Sequence, residues 1–131
     1  MQNEADAAIT MRLELVPLAV SDVDRAKAFY VDQVGFDEDH DVRPMDGMRV
    51  VQLTPPGSAC SVLIGTRMGD VTDRTPGQAR GLHLVVTDLD RVRTALLERD
   101  VAVSAVQDMG GILYAYFSDP DGNSWALQQL R

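Results

Sequence analysis

Residues 13–20 alternate and are rich in β-branched and aliphatic types, the pattern of a strand. Ser21-Asp22-Val23-Asp24 follows with the Ser-x-x-Asp signature of a helix start, in which the hydroxyl caps free backbone N–H groups. Val23, Ala26, Tyr30 and Val34 then fall three or four residues apart with Phe29 beside them, so one face of the helix is apolar. Gly35 stands where a left-handed C-terminal residue is wanted. Three strands are predicted next: about Phe36–Arg43, Met48–Thr54 after an Asp46-Gly47 turn, and Cys60–Gly65 after Pro55-Pro56-Gly57-Ser58. The order is βαβββ.

Residues 67–80 are polar, contain Gly69, Pro76 and Gly77, and show no period, which predicts a linker. The plan then recurs: strand Gly81–Val86, a Thr87 cap, helix Asp88–Arg99 with Leu89, Val92 and Leu96 inward, and strand Val101–Val106. Strand Ile112–Ser118 follows Gly110-Gly111, and the turn Asp119-Pro120-Asp121-Gly122 leads into strand Ser124–Leu130. The repeat is visible residue by residue. Leu18-Ala19-Val20-Ser21-Asp22-Val23-Asp24-Arg25 returns 66 positions later as Leu84-Val85-Val86-Thr87-Asp88-Leu89-Asp90-Arg91, and the Asp46–Pro56 stretch aligns with Gly110–Pro120 at an offset of 64. Two modules of one design imply pseudo-symmetry. The expected fold is α+β, two βαβββ modules in a curved eight-stranded sheet arrangement with helices outside. Residues 1–11 are expected to be a loose tail and 12–131 one domain, with module 1 over about 12–66, the linker over 67–80 and module 2 over about 81–130.

Strand side chains alternate between faces, so the repeat sorts them. Val16, Leu18 and Val20, with Leu82, Leu84 and Val86, form apolar stripes expected to lie under the helices, together with Val51, Leu53, Leu63, Phe117, Trp125 and Leu127. The opposite face then carries Leu15, Pro17 and Ala19; Val50 and Gln52; Cys60, Val62 and Ile64. From the second module it carries Gly81, His83 and Val85; Tyr114 and Tyr116; Ser124, Ala126 and Gln128. A face that mixes small, aromatic and polar residues with no helix to cover it suits a concave small-molecule pocket. Packing against another subunit is the alternative. The candidate ligand-binding residues are Gln52, Cys60, His83, Tyr114, Tyr116, Ser124 and Gln128. Imidazole titrates near neutrality, which makes His83 a candidate acid or base with Tyr116 as second donor, although a lone cavity histidine more often only hydrogen-bonds or stacks.

A net charge of −8 disfavours nucleic acid and anionic lipid and favours cationic ligands. No apolar stretch approaches the roughly 18 residues of a membrane span, and the first ten residues lack a basic start and an apolar run. Cys60 is the one cysteine, so no internal disulfide forms. These features are the grounds for expecting a cytoplasmic protein with no nucleic-acid or membrane partner. No Gly-rich phosphate loop, nucleophile elbow or dinucleotide fingerprint is present, and no cofactor is expected.

The chain resembles the glyoxalase/bleomycin-resistance/dioxygenase group, the vicinal-oxygen-chelate superfamily. The resemblance rests on Val20-Ser21-Asp22-Val23-Asp24-Arg25-Ala26 leading to Phe29-Tyr30 and Gly35-Phe36, on Leu53-Thr54-Pro55-Pro56-Gly57-Ser58, and on Phe117-Ser118-Asp119-Pro120-Asp121-Gly122-Asn123-Ser124-Trp125 with Leu127-Gln128. It spans about residues 12–130 and implies the βαβββ fold. The group includes metal-dependent lyases, isomerases, dioxygenases and thiol transferases as well as metal-free proteins that sequester drugs. Its metal users place ligands at four repeated positions, which align here with Leu15, Val62, Gly81 and Ala126. None offers a donor atom. Glu14 points to the other face, and His40 lies in the acidic stretch Asp37–Asp41, where a solvated edge strand is the simpler reading. The resemblance therefore implies a metal-independent protein that binds, and sequesters, an aromatic or cationic small molecule as a homodimer. The alternative is a glyoxalase-like lyase or isomerase, or a dioxygenase, using His83 or a non-standard metal site.

Overall fold

A computed structural model of the protein describes residues 9–130; most of the expected N-terminal tail, residues 1–8, lies outside the described residues. The elements follow the βαβββ plan twice. They are β1 (Leu15–Pro17), α1 (Val23–Ala28) continued by a π-helical segment (Phe29–Val34), β2 (Asp37–Val42), β3 (Arg49–Thr54) and β4 (Ser61–Thr66), then β5 (Leu82–Val85), α2 (Leu89–Glu98), β6 (Gln107–Met109), β7 (Ile112–Ser118) and β8 (Ser124–Gln129). The strands form two four-stranded sheets, ordered β1-β4-β3-β2 and β5-β8-β7-β6, with β1 parallel to β4, β5 parallel to β8, and the remaining pairs antiparallel.

Both helices begin one residue later than their hydroxyls suggest. Asp22, not Ser21, caps α1 by accepting from the Arg25 N–H at 3.0 Å, and Asp88, not Thr87, caps α2 by accepting from the Arg91 N–H at 3.1 Å. A carboxylate is the stronger acceptor and also carries the charge that the positive helix end favours. The Ser21 hydroxyl instead donates to Asp121 of the second module at 2.6 Å. The first helix widens after Ala28, and the Gly35 and Phe36 N–H groups both donate to the Tyr30 carbonyl. Phe29 and Tyr30 are both buried in this segment. Gly35 closes the segment at φ +96°, a left-handed conformation that a side chain would strain.

One hydrophobic cluster joins the modules. Phe29, Tyr30 and Phe36 of the first pack against Phe117 and Trp125 of the second, with the Trp125 ring stacked on Phe117 at 6.1 Å and edge-on to Tyr30 at 5.8 Å. Trp125 is buried as its strand parity predicts, and its indole N–H donates to the Tyr30 hydroxyl at 3.0 Å. That hydroxyl donates to Asp119 at 2.8 Å, and Asp119 also accepts from the backbone N–H groups of Asp121 and Asn123. The β7–β8 turn is thereby tied to the first helix, and burial, followed by the Asp119 charge, pushes the Tyr30 hydroxyl well above the usual phenol range.

Two expectations need correction. The stretch Val101–Val106, predicted as a strand, has no regular ladder; Val101 and Val103 are buried, Ser104 alone bonds with Tyr116, and pairing begins only at Gln107. Val101 and Val103 join the core cluster that also holds Leu89 and Leu96 of α2, so the alternation is real and the strand pairing is not. On β4 the faces are reversed. The register pairs Val51 with Ile64 and Leu53 with Val62, so Val62 and Ile64 belong to the core while Ser61, Leu63 and Gly65 lie on the opposite face with Gln52. The cause is one additional residue between β3 and β4. Leu63 faces Gln52 whereas Ala126 faces Tyr116, so the repeat offset falls from 64 to 63 in the last strand.

Candidate functional site

The helix-facing residues of both sheets share the core cluster, and the opposite faces lie outside it, with Ser61, Leu63 and Ala126 buried there and Tyr116 and Val85 exposed. On β5, β8 and β7 the core row is Leu82, Trp125 and Phe117, so the neighbouring row His83, Ala126 and Tyr116 projects to the other side. The next row on that side is Val85, Gln128 and Tyr114. Gly81, Ser124 and Ser118 border it.

These rows build a trough. Ala126, with only a methyl group, is its floor between His83 and Tyr116, and the cavity measures about 390 Å³ with Gly81, Ala102 and Ser124 at its margins. The Tyr114 and Tyr116 rings lie parallel, 6.3 Å apart, and His83 meets Tyr114 edge-on at 6.1 Å. Gln128 donates to the Tyr114 hydroxyl at 3.4 Å, and the Ser124 hydroxyl oxygen accepts from the Gly81 N–H at 3.0 Å. Tyr116 is 42% exposed. The arrangement offers a stacking wall whose polar tips fix orientation.

His83 Nδ1 lies 2.6 Å from the Gly81 carbonyl oxygen. A carbonyl only accepts, so Nδ1 carries a hydrogen and a neutral imidazole has Nε2 as its acceptor. The orienting group is thus a backbone carbonyl, where a strong base would have a carboxylate.

The first sheet presents a different face. Gln52 donates to the Ser61 hydroxyl at 3.1 Å, Ser61 and Thr54 share a hydrogen bond of 2.7 Å, and the Thr54 hydroxyl donates to Asp39. A bulge between Glu38 and His40 brings His40 opposite Gln52, onto this same face, while Glu38 and Asp41 turn to the helix side. Strict alternation along Asp37–Val42 would have placed Glu38 and His40 together, so only the ladder reveals His40 here. Cys60 stands outside the strand, half-buried, with its thiol 3.8 Å from the Ser61 carbonyl. Six of the seven predicted residues therefore divide into a cluster of five on the second sheet and Gln52 on the first; Cys60 does not join either.

The four family metal positions, corrected for the β4 register, are Leu15, Leu63, Gly81 and Ala126, and no donor atom is gained by the correction. Among the described residues no group of three or more His, Cys, Asp or Glu is placed to hold a metal ion. The residues present do not fit a chelate centre.

Among solved structures the chain is similar to TnmS3, an antibiotic binding protein from Streptomyces sp. CB03234, at 35% identity, with 95% of this chain and 100% of that one covered and a TM-score of 0.82. It is similar at 37% identity to a glyoxalase/bleomycin resistance protein from the same organism, over 90% and 100% of the two chains with a TM-score of 0.76. A member of the same superfamily from Sphaerobacter thermophilus DSM 20745 is 32% identical over 92% of this chain and 98% of that one, with a TM-score of 0.79. Among curated proteins none matches the chain. The sequence model of the Glyoxalase/Bleomycin resistance protein/Dioxygenase superfamily matches residues 12–127, and to that superfamily the chain belongs.

Proposed function

We propose that the protein is a metal-independent, cytoplasmic binding protein that sequesters an aromatic or cationic small molecule on the β5-β8-β7 face. The observation that carries this reading is the open trough lined by His83 and Tyr116, with Tyr114 stacked parallel to Tyr116 next to it and no carboxylate or metal donor set among the lining residues. Likeness to an antibiotic binding protein at 35% identity supports it, as does a net charge of −8, which draws cations by long-range attraction. Ligand contacts are assigned to His83, Tyr114, Tyr116, Ser124 and Gln128, with Gln52 contributing from a first-module face.

A single chain leaves these faces open, and we propose a homodimer in which a second copy covers them. Tyr116 and Val85 are 42% and 64% exposed, and Ile9, Met11 and Leu13, which continue the parity of Leu15, are 86%, 88% and 69% exposed. Apolar exposure at these positions suits association with a second copy.

Isothermal titration with bleomycin and with a panel of aromatic metabolites tests the binding reading. Saturable binding is expected, weakened about 5- to 150-fold by His83→Ala, the equivalent of one buried hydrogen bond worth about 1–3 kcal/mol, with the fold intact. Turnover that a chelator abolishes and added metal restores would establish the enzymatic alternative instead.

A further inference from the structure

The shared core is not closed on the helix side of β5. This strand is the edge of its sheet, and Leu84 and Val86, whose parity turns them toward α2, are only partly covered, as are Val34 and Val92. These side chains form the mouth of a crevice of about 220 Å³ between the modules. Its inner wall is fully buried and consists of Phe36, Leu96 and Leu127. Phe36 is held by ring contacts with Tyr30 at 5.4 Å and Trp125 at 5.7 Å, so this wall is preformed. Pro55 and Pro56 make the opposite lip and have no backbone N–H to offer.

Every residue lining the crevice is apolar. Close-packed interiors leave few voids larger than a water molecule. An enclosed apolar cavity of roughly 150 Å³ takes benzene, and this open-mouthed crevice of about 220 Å³ has room for a ring of that size. We infer that the crevice is a second ligand site, separate from the tyrosine trough, for an uncharged aromatic molecule of one or two rings. A charged ligand is excluded because nothing in the walls would compensate its lost hydration. A neighbouring cleft lined by Ser58 and His83 shares Pro55, Pro56, Leu84 and Val85 with the crevice.

The test is a titration of methyl-labelled protein, in its solution oligomeric state, with indole followed by carbon–proton NMR. Methyl signals of Leu84, Val86, Val92 and Leu96 should shift saturably with a Kd of about 0.1–1 mM, the range open to a fragment of this size. Val92→Phe, which places a ring in the crevice, should weaken that affinity about tenfold or more, whereas Tyr116→Ala should change it by less than about twofold. Leu84→Phe serves the same purpose should Val92→Phe fail to fold. Shifts confined to the tyrosine trough, or none up to roughly 10 mM indole, would overturn the inference. So would dissociation of a dimer by either filling variant in sedimentation, since the crevice would then be occupied by a second copy of the chain.

Discussion

Trp125 is the residue on which the two modules meet, because one side chain stacks on Phe117, meets Phe36 and Tyr30 edge-on, and donates to the Tyr30 hydroxyl. Emptying such a site costs both transfer energy and a cavity, so Trp125→Ala should lower stability by about 3–5 kcal/mol in urea denaturation. Charge at residue scale centres on Asp41. Its carboxylate accepts from Arg49 Nε at 3.0 Å and Nη2 at 2.8 Å and from Lys27 at 2.8 Å, while Arg49 also donates to Asp24 and Lys27 pairs with Glu38 at 2.7 Å. These bonds pin α1 to β2 and β3. Hydrogen bonds from Arg49, then Lys27, hold the Asp41 carboxyl well below its ordinary 3.8. A depressed folded-state value means that the stabilisation is present above pH 3.8 and is lost as pH falls below it toward the folded-state value. Asp41→Asn should therefore flatten the acid limb of a plot of urea midpoint against pH below about pH 4, while lowering the midpoint at neutrality.

At the scale of elements, the strand and helix order was legible because most apolar stripes keep one period and turn residues mark their ends. Strand Ile112–Ser118 was located to the residue, and β2, β3 and β8 to within a residue at each end. What the pattern hid was register. Cys60-Ser61-Val62-Leu63-Ile64 is apolar on both parities apart from Ser61, so period alone does not say which set faces the helices; pairing with Val51 and Leu53 decides it. The linker was likewise only half legible. Its polar composition conceals close packing: Gly77 donates to the Ala19 carbonyl at 3.2 Å, Ala79 to Asn123 at 3.0 Å, and Arg80 to the Gly122 carbonyl at 2.9 Å. Gly77 has φ +79°, and a Cβ there would collide with the Asp121 carbonyl oxygen. Gly77→Ala should cost about 1–3 kcal/mol by thermal or urea unfolding, unlike substitution at a mobile linker position.

For the whole molecule, the consequence of the shared core is that the helix-free face of each sheet points away from it. Sedimentation at micromolar concentration should show a dimer, and a monomer there would leave Ile9, Met11, Leu13 and Val85 exposed without a partner. A chelator should leave the thermal midpoint and the affinity for the bound molecule unchanged; a fall in the midpoint would mean that a metal stabilises the fold. No helix among the described residues is long and apolar enough to cross a membrane.

The sequence by itself determined the doubled βαβββ plan, the burial of Trp125 and the tyrosine–histidine face, because period-2 and period-3.6 patterns record which side of an element is dry. It also determined that Leu15, Gly81 and Ala126 carry no metal donor, since that follows from side-chain chemistry alone. Only the tertiary structure decided that Leu63 and Ser61, not Val62 and Cys60, share a face with Gln52, that a bulge brings His40 there, and that the Gly81 carbonyl sets the His83 tautomer. The physical reason is that these depend on which strands pair and with what slip. Such long-range register changes by a whole face when one loop gains a residue, while leaving no mark on the local pattern.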